Sequence, residues 1–323
     1  MNTLEKPVIN DPAFDSDLLG DIDVWTPAAD RLIAKLSKWI RIDSPGAAVY
    51  GPQRVGKTHA CKFICKVLPS LFAGALACVH FTIGEPPPKT ERAFIQRMLA
   101  QAGCNAILSR DVEVLRTRLV DHLYDQAIAA GSRRIVALLD EAQNLDRMHY
   151  GWLITLFNEL VHKNLRPFFM LIGQPELRDI SQAFRVAGSQ QLIGRFFSHG
   201  HEFFGVATTE LEVVLRALES EEEDVSSGPR HFMPSAYAEG FELAKLAAPL
   251  ATALETVRAR HQLAHGVRLP MQYLRSTVLD ALQRIICGDV DHRAISAVTM
   301  LDCLKETGFL NVVLVYAELM SEA

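Results

Sequence analysis

Eight consecutive residues, Gly51-Pro52-Gln53-Arg54-Val55-Gly56-Lys57-Thr58, fit the spacing G-x4-G-K-[ST]. Glycines let the backbone curl so that its N–H groups face phosphate oxygens. Lys57 is placed to reach the β and γ phosphates of a nucleotide, and the Thr58 hydroxyl to ligate Mg²⁺. A helix starting here aims its positive dipole end at the anion. The octapeptide therefore reads as an ATP-binding loop.

A second constellation is Ile135-Val-Ala-Leu-Leu-Asp140-Glu141. A buried strand that ends in Asp supplies a carboxylate to organise Mg²⁺. The adjacent Glu141 is suited to polarise a water for attack on the γ-phosphate. A third is Phe168-Phe-Met-Leu-Ile-Gly173-Gln174, an apolar run ending in a polar residue. Gln174 is placed to sense the γ-phosphate or hold the attacking water, or else simply marks a Gly-Gln-Pro turn.

These residues need elements to hold them. From Pro27 the pattern is helical, with Leu32, Ile33, Leu36, Trp39 and Ile40 on one face. Short apolar runs at 47–50, 76–81, 135–139 and 168–172 read as strands, and 202–206 as the last. Helical patterns at 58–67, 91–102, 112–129 and 151–161 lie between them. In the first of these Ala60, Phe63, Ile64 and Val67 should face inward. Apolar strands alternating with helices imply an α/β fold with a parallel sheet covered on both faces. Beyond 207 strand patterns stop. Thr209 and Glu212 suggest a capping box, and 235–320 read as helical throughout.

The domain expectation is an acidic N-terminal arm (1–24), an α/β nucleotide-binding core (25–207), and a helical C-terminal part (208–323) with an acidic linker at 219–229. Net charge is −5, which excludes coating of nucleic acid by bulk positive charge. The arm and the run 219–224 each carry −5, so the rest of the chain stands at +5. No apolar run approaches the roughly 20 residues that span a bilayer. With no secretion signal visible, the expected compartment is the cytoplasm. Six cysteines (61, 65, 78, 104, 287 and 303) show no CxxC pair. Cys61 and Cys65 share a helix face without a partner at zinc spacing, so all six read as reduced core residues.

Together, Gly51–Thr58, Asp140-Glu-Ala-Gln-Asn-Leu145 and Leu171-Ile-Gly-Gln-Pro-Glu-Leu177 resemble the AAA+ ATPases of the TnsC/TniB type. These are ATP-dependent regulators of DNA transposition, related to the secretion ATPase ExeA and to initiator ATPases. The resemblance spans about 25–220. It implies a five-stranded parallel AAA+ core, a small helical lid, and head-to-tail self-assembly with ATP and Mg²⁺ at each interface. It also implies an arginine finger from the neighbouring subunit. Arg195, in Gln190-Gln-Leu-Ile-Gly-Arg-Phe196, lies where that residue is expected, with Arg185 second. A lid sensor arginine would be Arg268 or Arg275, both near the start of a helix carrying Leu274, Val278, Leu282 and Ile285. The usual Pro-Arg order is missing.

The resemblance further implies double-stranded DNA as partner, contacted near the loop after the second strand. That loop, Gly84-Glu-Pro-Pro-Pro-Lys89-Thr90, leads into Arg92. Lys89, Thr90 and Arg92 are the candidate phosphate contacts. Thr90 also suits a helix cap, and Lys89 a solvated charge. Arg110, Arg116 and Arg118 form a second, weaker basic cluster that reads equally as a solvated helix face. No interleaving of aromatic and basic residues suggests base stacking. The expected function is an ATPase that assembles on DNA, links target selection to a transposase, and disassembles on hydrolysis. An ExeA-like secretion ATPase and an ATP-binding filament scaffold with negligible turnover remain alternatives. The Asp-Glu pair and the large helical C-terminal part argue against a small-molecule P-loop kinase.

Overall fold

A computed structural model describes residue 19, residues 25–220 and residues 228–321. The acidic arm, apart from Leu19, and residues 221–227 of the acidic linker lie outside the described residues. The chain divides near 205 into two compact units.

The first unit opens with α1 (Pro27–Arg41), whose Leu32, Ile33, Leu36, Trp39 and Ile40 are all buried. It continues through β1 (Gly46–Tyr50), α2 (Lys57–Leu71), β2 (Ala77–Thr82), α3 (Glu91–Gln101), α4 (Val112–Ala129), β3 (Arg134–Asp140), α5 (Arg147–His162), β4 (Arg166–Gly173), α6 (Glu176–Val186), α7 (Gln190–Phe196) and β5 (Gly200–Glu202). All five strands are parallel, in the order β2-β3-β4-β1-β5. β3 and β4 lie inside the sheet, and almost all their residues are buried. That is why both read as unbroken apolar runs. β2 is an edge strand and alternates: Ala77, Val79 and Phe81 are buried, while Cys78 and His80 are half-buried. Register sets Thr82 beside Asp140 and Tyr50 beside Gly173. The carboxyl ends of β1, β2, β3 and β4 thus share one edge.

Helix starts follow local chemistry. Asp111 accepts from the Glu113 N–H at 2.9 Å to open α4, and Asp146 accepts from the Met148 N–H at 2.9 Å to open α5.

Several expectations are corrected. The last strand is 200–202, not 202–206. The apolar Phe203 and Val206 are buried, but the pairing with β1 ends at the Phe203 N–H, which donates to Tyr50 O at 2.8 Å, and Val206 pairs instead with Leu269. In α2 the buried positions are Lys57, Ala60, Cys61, Ile64 and Leu68, so Phe63 and Val67 sit at the margin. α6 and α7 fill a stretch the sequence left without elements.

The second unit is helical: α8 (Leu211–Ser220), α9 (Pro229–Phe232), α10 (Pro234–Ala238), α11 (Ala247–Arg260), α12 (Met271–Ile286), α13 (Ala297–Glu306) and α14 (Val313–Ser321). Leu215, Leu246, Leu250, Leu254, Leu274 and Phe309 belong to its core. The expected capping box shifts by two residues. Glu210, not Glu212, accepts from a backbone N–H, that of Ala207, at 3.0 Å; Glu212 pairs with Arg216 at 2.9 Å. Residues 261–270 and 287–296 interrupt the helices, so 235–320 is not helical throughout. Among the described residues no helix is long and apolar enough to cross a membrane.

Candidate nucleotide site

The loop from Gly51 to Gly56 joins β1 to α2 at the carboxyl edge of the sheet. Its two glycines are required for different reasons. A Cβ on Gly51 would strike the Phe203 carbonyl oxygen. Gly56 has φ 100, a left-handed conformation that penalises any side chain. Arg54 also takes a positive φ, 63, and its side chain is exposed, as is that of Gln53. Pro52 and Val55 are buried. The Gly51 N–H donates to Gly173 O at 3.2 Å, which ties the loop to the end of β4.

Lys57 is 8% exposed and folds back on its own loop, donating to Gly51 O at 2.7 Å and Pro52 O at 2.6 Å. Burial lowers its pKa, against the pull of Glu141 and Asp140. A buried ammonium held by neutral carbonyls is a good partner for an anion. Thr58 donates to Asp140 Oδ2 at 2.7 Å. Burial raises the Asp140 pKa, but His80, the Thr58 hydroxyl and the Glu141 N–H outweigh it, so the carboxyl sits below its ordinary value. The buried carboxylate beside a hydroxyl suits a hard cation such as Mg²⁺. The curled loop, the buried lysine and this pair together fit an Mg²⁺-nucleotide.

Glu141 follows directly with φ 57, a strained conformation for a residue with a side chain. Gln143, in the short turn after β3, donates to Glu141 Oε2 at 2.5 Å. Gln143 Oε1 accepts the Gln174 N–H at 3.1 Å. Gln53 then donates to Gln174 Oε1 at 2.8 Å. The phosphate loop, the ends of β3 and β4 and the Glu141 carboxylate are thus one polar chain. Gly173 makes room for it, since a Cβ there would lie 2.6 Å from Gln143 Oε1. Neither residue type nor spacing in the sequence marks Gln143; only its side-chain contacts do.

A family profile described as AAA domain matches residues 44–181. Over this stretch the chain is similar to AAA domains. Its sheet and the flanking helices are similar to solved structures of AAA+ proteins. One is the ORC2 protein of Aeropyrum pernix in ADPNP-ADP complexes, at 14% identity and TM-score 0.58, covering 91% of this chain and 72% of that one. Another is Drosophila ORC bound to DNA, at 13% and 0.51, covering 94% and 68%. A third is Cdc6p of Pyrobaculum aerophilum, at 13% and 0.51, covering 87% and 67%. At these identities the likeness is one of fold. No curated protein matches the sequence.

The remaining predicted residues fall outside this loop cluster. Arg195 closes α7, donates to Asn158 Oδ1 at 2.9 Å and stacks over Phe157 at 5.6 Å. Its carbonyl lies against Gly46, the first residue of β1, so a Cβ there would strike it. The phosphate loop starts after the last residue of β1, about 15 Å away at some 3.3 Å per residue. Arg195 is therefore at the opposite edge of the sheet from its own phosphate loop. Arg185 donates to Phe197 O at 3.4 Å and borders a cleft with Arg178 and Tyr50. Arg268 precedes α12 beside the Val206–Leu269 bridge, and Arg275 is half-buried within α12.

Lys89 and Thr90, at the end of the loop after β2, and Arg92, in the first turn of α3, are exposed. Thr90 does cap α3, accepting from the Ala93 N–H at 3.3 Å. The loop is pinned from beneath by His149, whose Nε2 lies 2.9 Å from Pro88 O and whose Nδ1 lies 2.7 Å from Asp146 Oδ1. The second basic cluster dissolves. Arg116 pairs with Glu91 at 2.9 Å and Glu159 at 3.1 Å, and Arg118 donates to Leu108 O at 2.9 Å. Arg110 stays exposed. The cysteine reading also changes: Cys287 is exposed, while Cys65 and Cys78 approach each other.

Proposed function

We propose that this chain is an ATP-hydrolysing switch in the cytoplasm that assembles head-to-tail on double-stranded DNA and regulates transposition. It would link target-site selection to a transposase and disassemble on hydrolysis. The observation that carries the ATPase reading is the polar chain from Gln53 through Gln174 and Gln143 to Glu141, beside Lys57, Thr58 and Asp140. The DNA and transposition reading is supported by the TnsC/TniB-like motifs and by fold likeness to an ORC assembly described as bound to DNA.

Each residue then has a task. Lys57 and the loop N–H groups hold the phosphates. Thr58 and Asp140 would hold Mg²⁺, which supplies positive charge to the phosphoryl oxygens when bound. Gln143 fixes Glu141 Oε2, leaving Oε1 to accept a proton from water. Gln174 and Gln53 keep the loop in register with that base. Arg195, remote from its own loop and oriented by Asn158 and Phe157, would serve a neighbour. Arg268 or Arg275 would act as the lid sensor. Lys89, on a loop held by His149, and Arg92, in the first turn of the helix that Thr90 caps, would contact DNA phosphates.

The test is electron microscopy of the full chain with duplex DNA and a non-hydrolysable ATP analogue. Rings or filaments that need both ligands are expected, and monomers under all conditions would overturn the reading. Assembly without DNA would favour the ExeA-like alternative. Assembly with DNA but no phosphate release from ATP would favour the filament scaffold.

A further inference from the structure

The face shared by Cys61 and Cys65 acquires partners in the fold. Ala77, Val79 and Phe81 of β2 enter the core with residues of α3 and α4, so Cys78 and His80 point to the opposite face. Cys65 Sγ and Cys78 Sγ are 3.2 Å apart. One turn earlier on α2, the Cys61 thiol, the His80 ring and the Asp140 carboxylate each place a donor atom within 4.8 Å of the other two. Cys61 and Asp140 are each 1% exposed. His80 Nε2 is buried, lies 3.8 Å from Asp140 Oδ2 and makes no hydrogen bond.

We propose that Cys61, His80 and Asp140 form a site for a thiophilic divalent cation, with Zn²⁺ as the probe. One thiolate, one imidazole and one carboxylate make a donor set that suits zinc and not magnesium. Tetrahedral zinc spaces N, O and single S ligand atoms by roughly 3.3–3.6 Å, so the triad needs to contract by at most about 1.5 Å. Three protein ligands leave a fourth position to water. Without metal, burial and the neighbouring Asp140 hold the Cys61 thiol protonated. A coordinated cation reverses that balance and expels the proton. The imidazole nitrogen that makes no hydrogen bond is then used.

The site shares Asp140 Oδ2 with Thr58. A cation drawing that oxygen toward His80 takes it from the hydroxyl that would face Mg²⁺. Zinc should therefore inhibit ATP turnover. This consequence rests on the proposed role of Asp140; the binding of zinc does not.

The test titrates the reduced, nucleotide-free full chain with Co²⁺ and then Zn²⁺. A thiolate-to-cobalt charge-transfer band and tetrahedral ligand-field bands are expected, with zinc displacing cobalt one for one. Cys61→Ser should abolish the charge-transfer band. His80→Gln should weaken binding at least about tenfold. A double Cys65→Ser, Cys78→Ser variant should keep both signals. A wild-type chain without the band overturns the site, whatever the variants do. So does a band that survives Cys61→Ser or vanishes in the double variant. If the cobalt spectrum forms but zinc leaves ATP turnover unchanged, the metal site stands and the proposed role of Asp140 falls.

Discussion

Gln143 donates its side-chain amide to Glu141 Oε2 at 2.5 Å while its carbonyl oxygen accepts the Gln174 N–H at 3.1 Å. One carboxamide therefore reads the end of β4 and sets the Glu141 carboxylate, the proposed base, at the end of β3. Gln143→Leu should lower kcat for ATP about 10–100-fold with little change in KM, because orientation is lost but the phosphate loop is intact. Steady-state kinetics checks this. A fall in kcat/KM caused by KM alone would remove Gln143 from the catalytic step. Gly173→Ala should act the same way, since the added Cβ meets the Gln143 oxygen.

Lys57→Ala should abolish ATP-dependent DNA binding, as read by fluorescence anisotropy of labelled duplex. Glu141→Gln should bind ATP and persist on DNA, with disassembly slowed at least about tenfold. Equal disassembly rates would contradict the assignment of Glu141 as base.

Arg195→Ala should act in trans. Alone it should lose about 10³-fold or more in turnover, the scale of an arginine finger. Mixed with Glu141→Gln subunits, some interfaces pair an intact Glu141 with an intact Arg195, and turnover should partly return. No recovery at any mixing ratio would remove the finger assignment.

His149→Ala should free the loop before α3. It removes an imidazole 2.9 Å from Pro88 O and 2.7 Å from Asp146 Oδ1. A loss of about 1–3 kcal/mol in stability is expected, because a buried ring and its two hydrogen bonds are removed together. DNA affinity should fall while ATP affinity in the absence of DNA holds. Chemical denaturation and nucleotide titration separate the two.

His201 gives a pH prediction. Burial, with Lys35 and Arg31 nearby, pushes its pKa down to about 4. An unfolded histidine titrates near 6.5. Below that value the unfolded chain takes up a proton that the folded chain refuses. Stability is thus full above about pH 6.5 and falls toward pH 4, by about 2–3 kcal/mol from this residue. His201→Gln should flatten the pH dependence of the denaturation midpoint over that window.

Much of the nucleotide site is legible in the sequence because it is local. Gly51–Thr58 is one continuous stretch, and Asp140 and Gln174 each end an apolar run that the interior of a parallel sheet demands. What is not legible is lateral. Cys61, His80 and Asp140 are far apart along the chain and meet only because α2 packs on β2 beside β3. The bond from Gln143 to Glu141 leaves no mark on spacing. α6 escapes notice because Leu177 is its one buried residue, so no apolar stripe announces it. The last strand is misplaced because Phe203 and Val206 stay buried past the point where pairing with β1 ends.

The position of Arg195 has a consequence for how turnover counts. A subunit that carries its loop on one sheet edge and its arginine on the other cannot complete a site alone. On the proposed trans role, a chain of n subunits joined head-to-tail without closing holds n − 1 finished centres. A pair holds one, and activity per subunit climbs with length toward a plateau. The terminal subunit with an exposed loop keeps its ATP longest. An open assembly would thus lose nucleotide first in its interior and last at one end, which gives it a direction in time as well as in space.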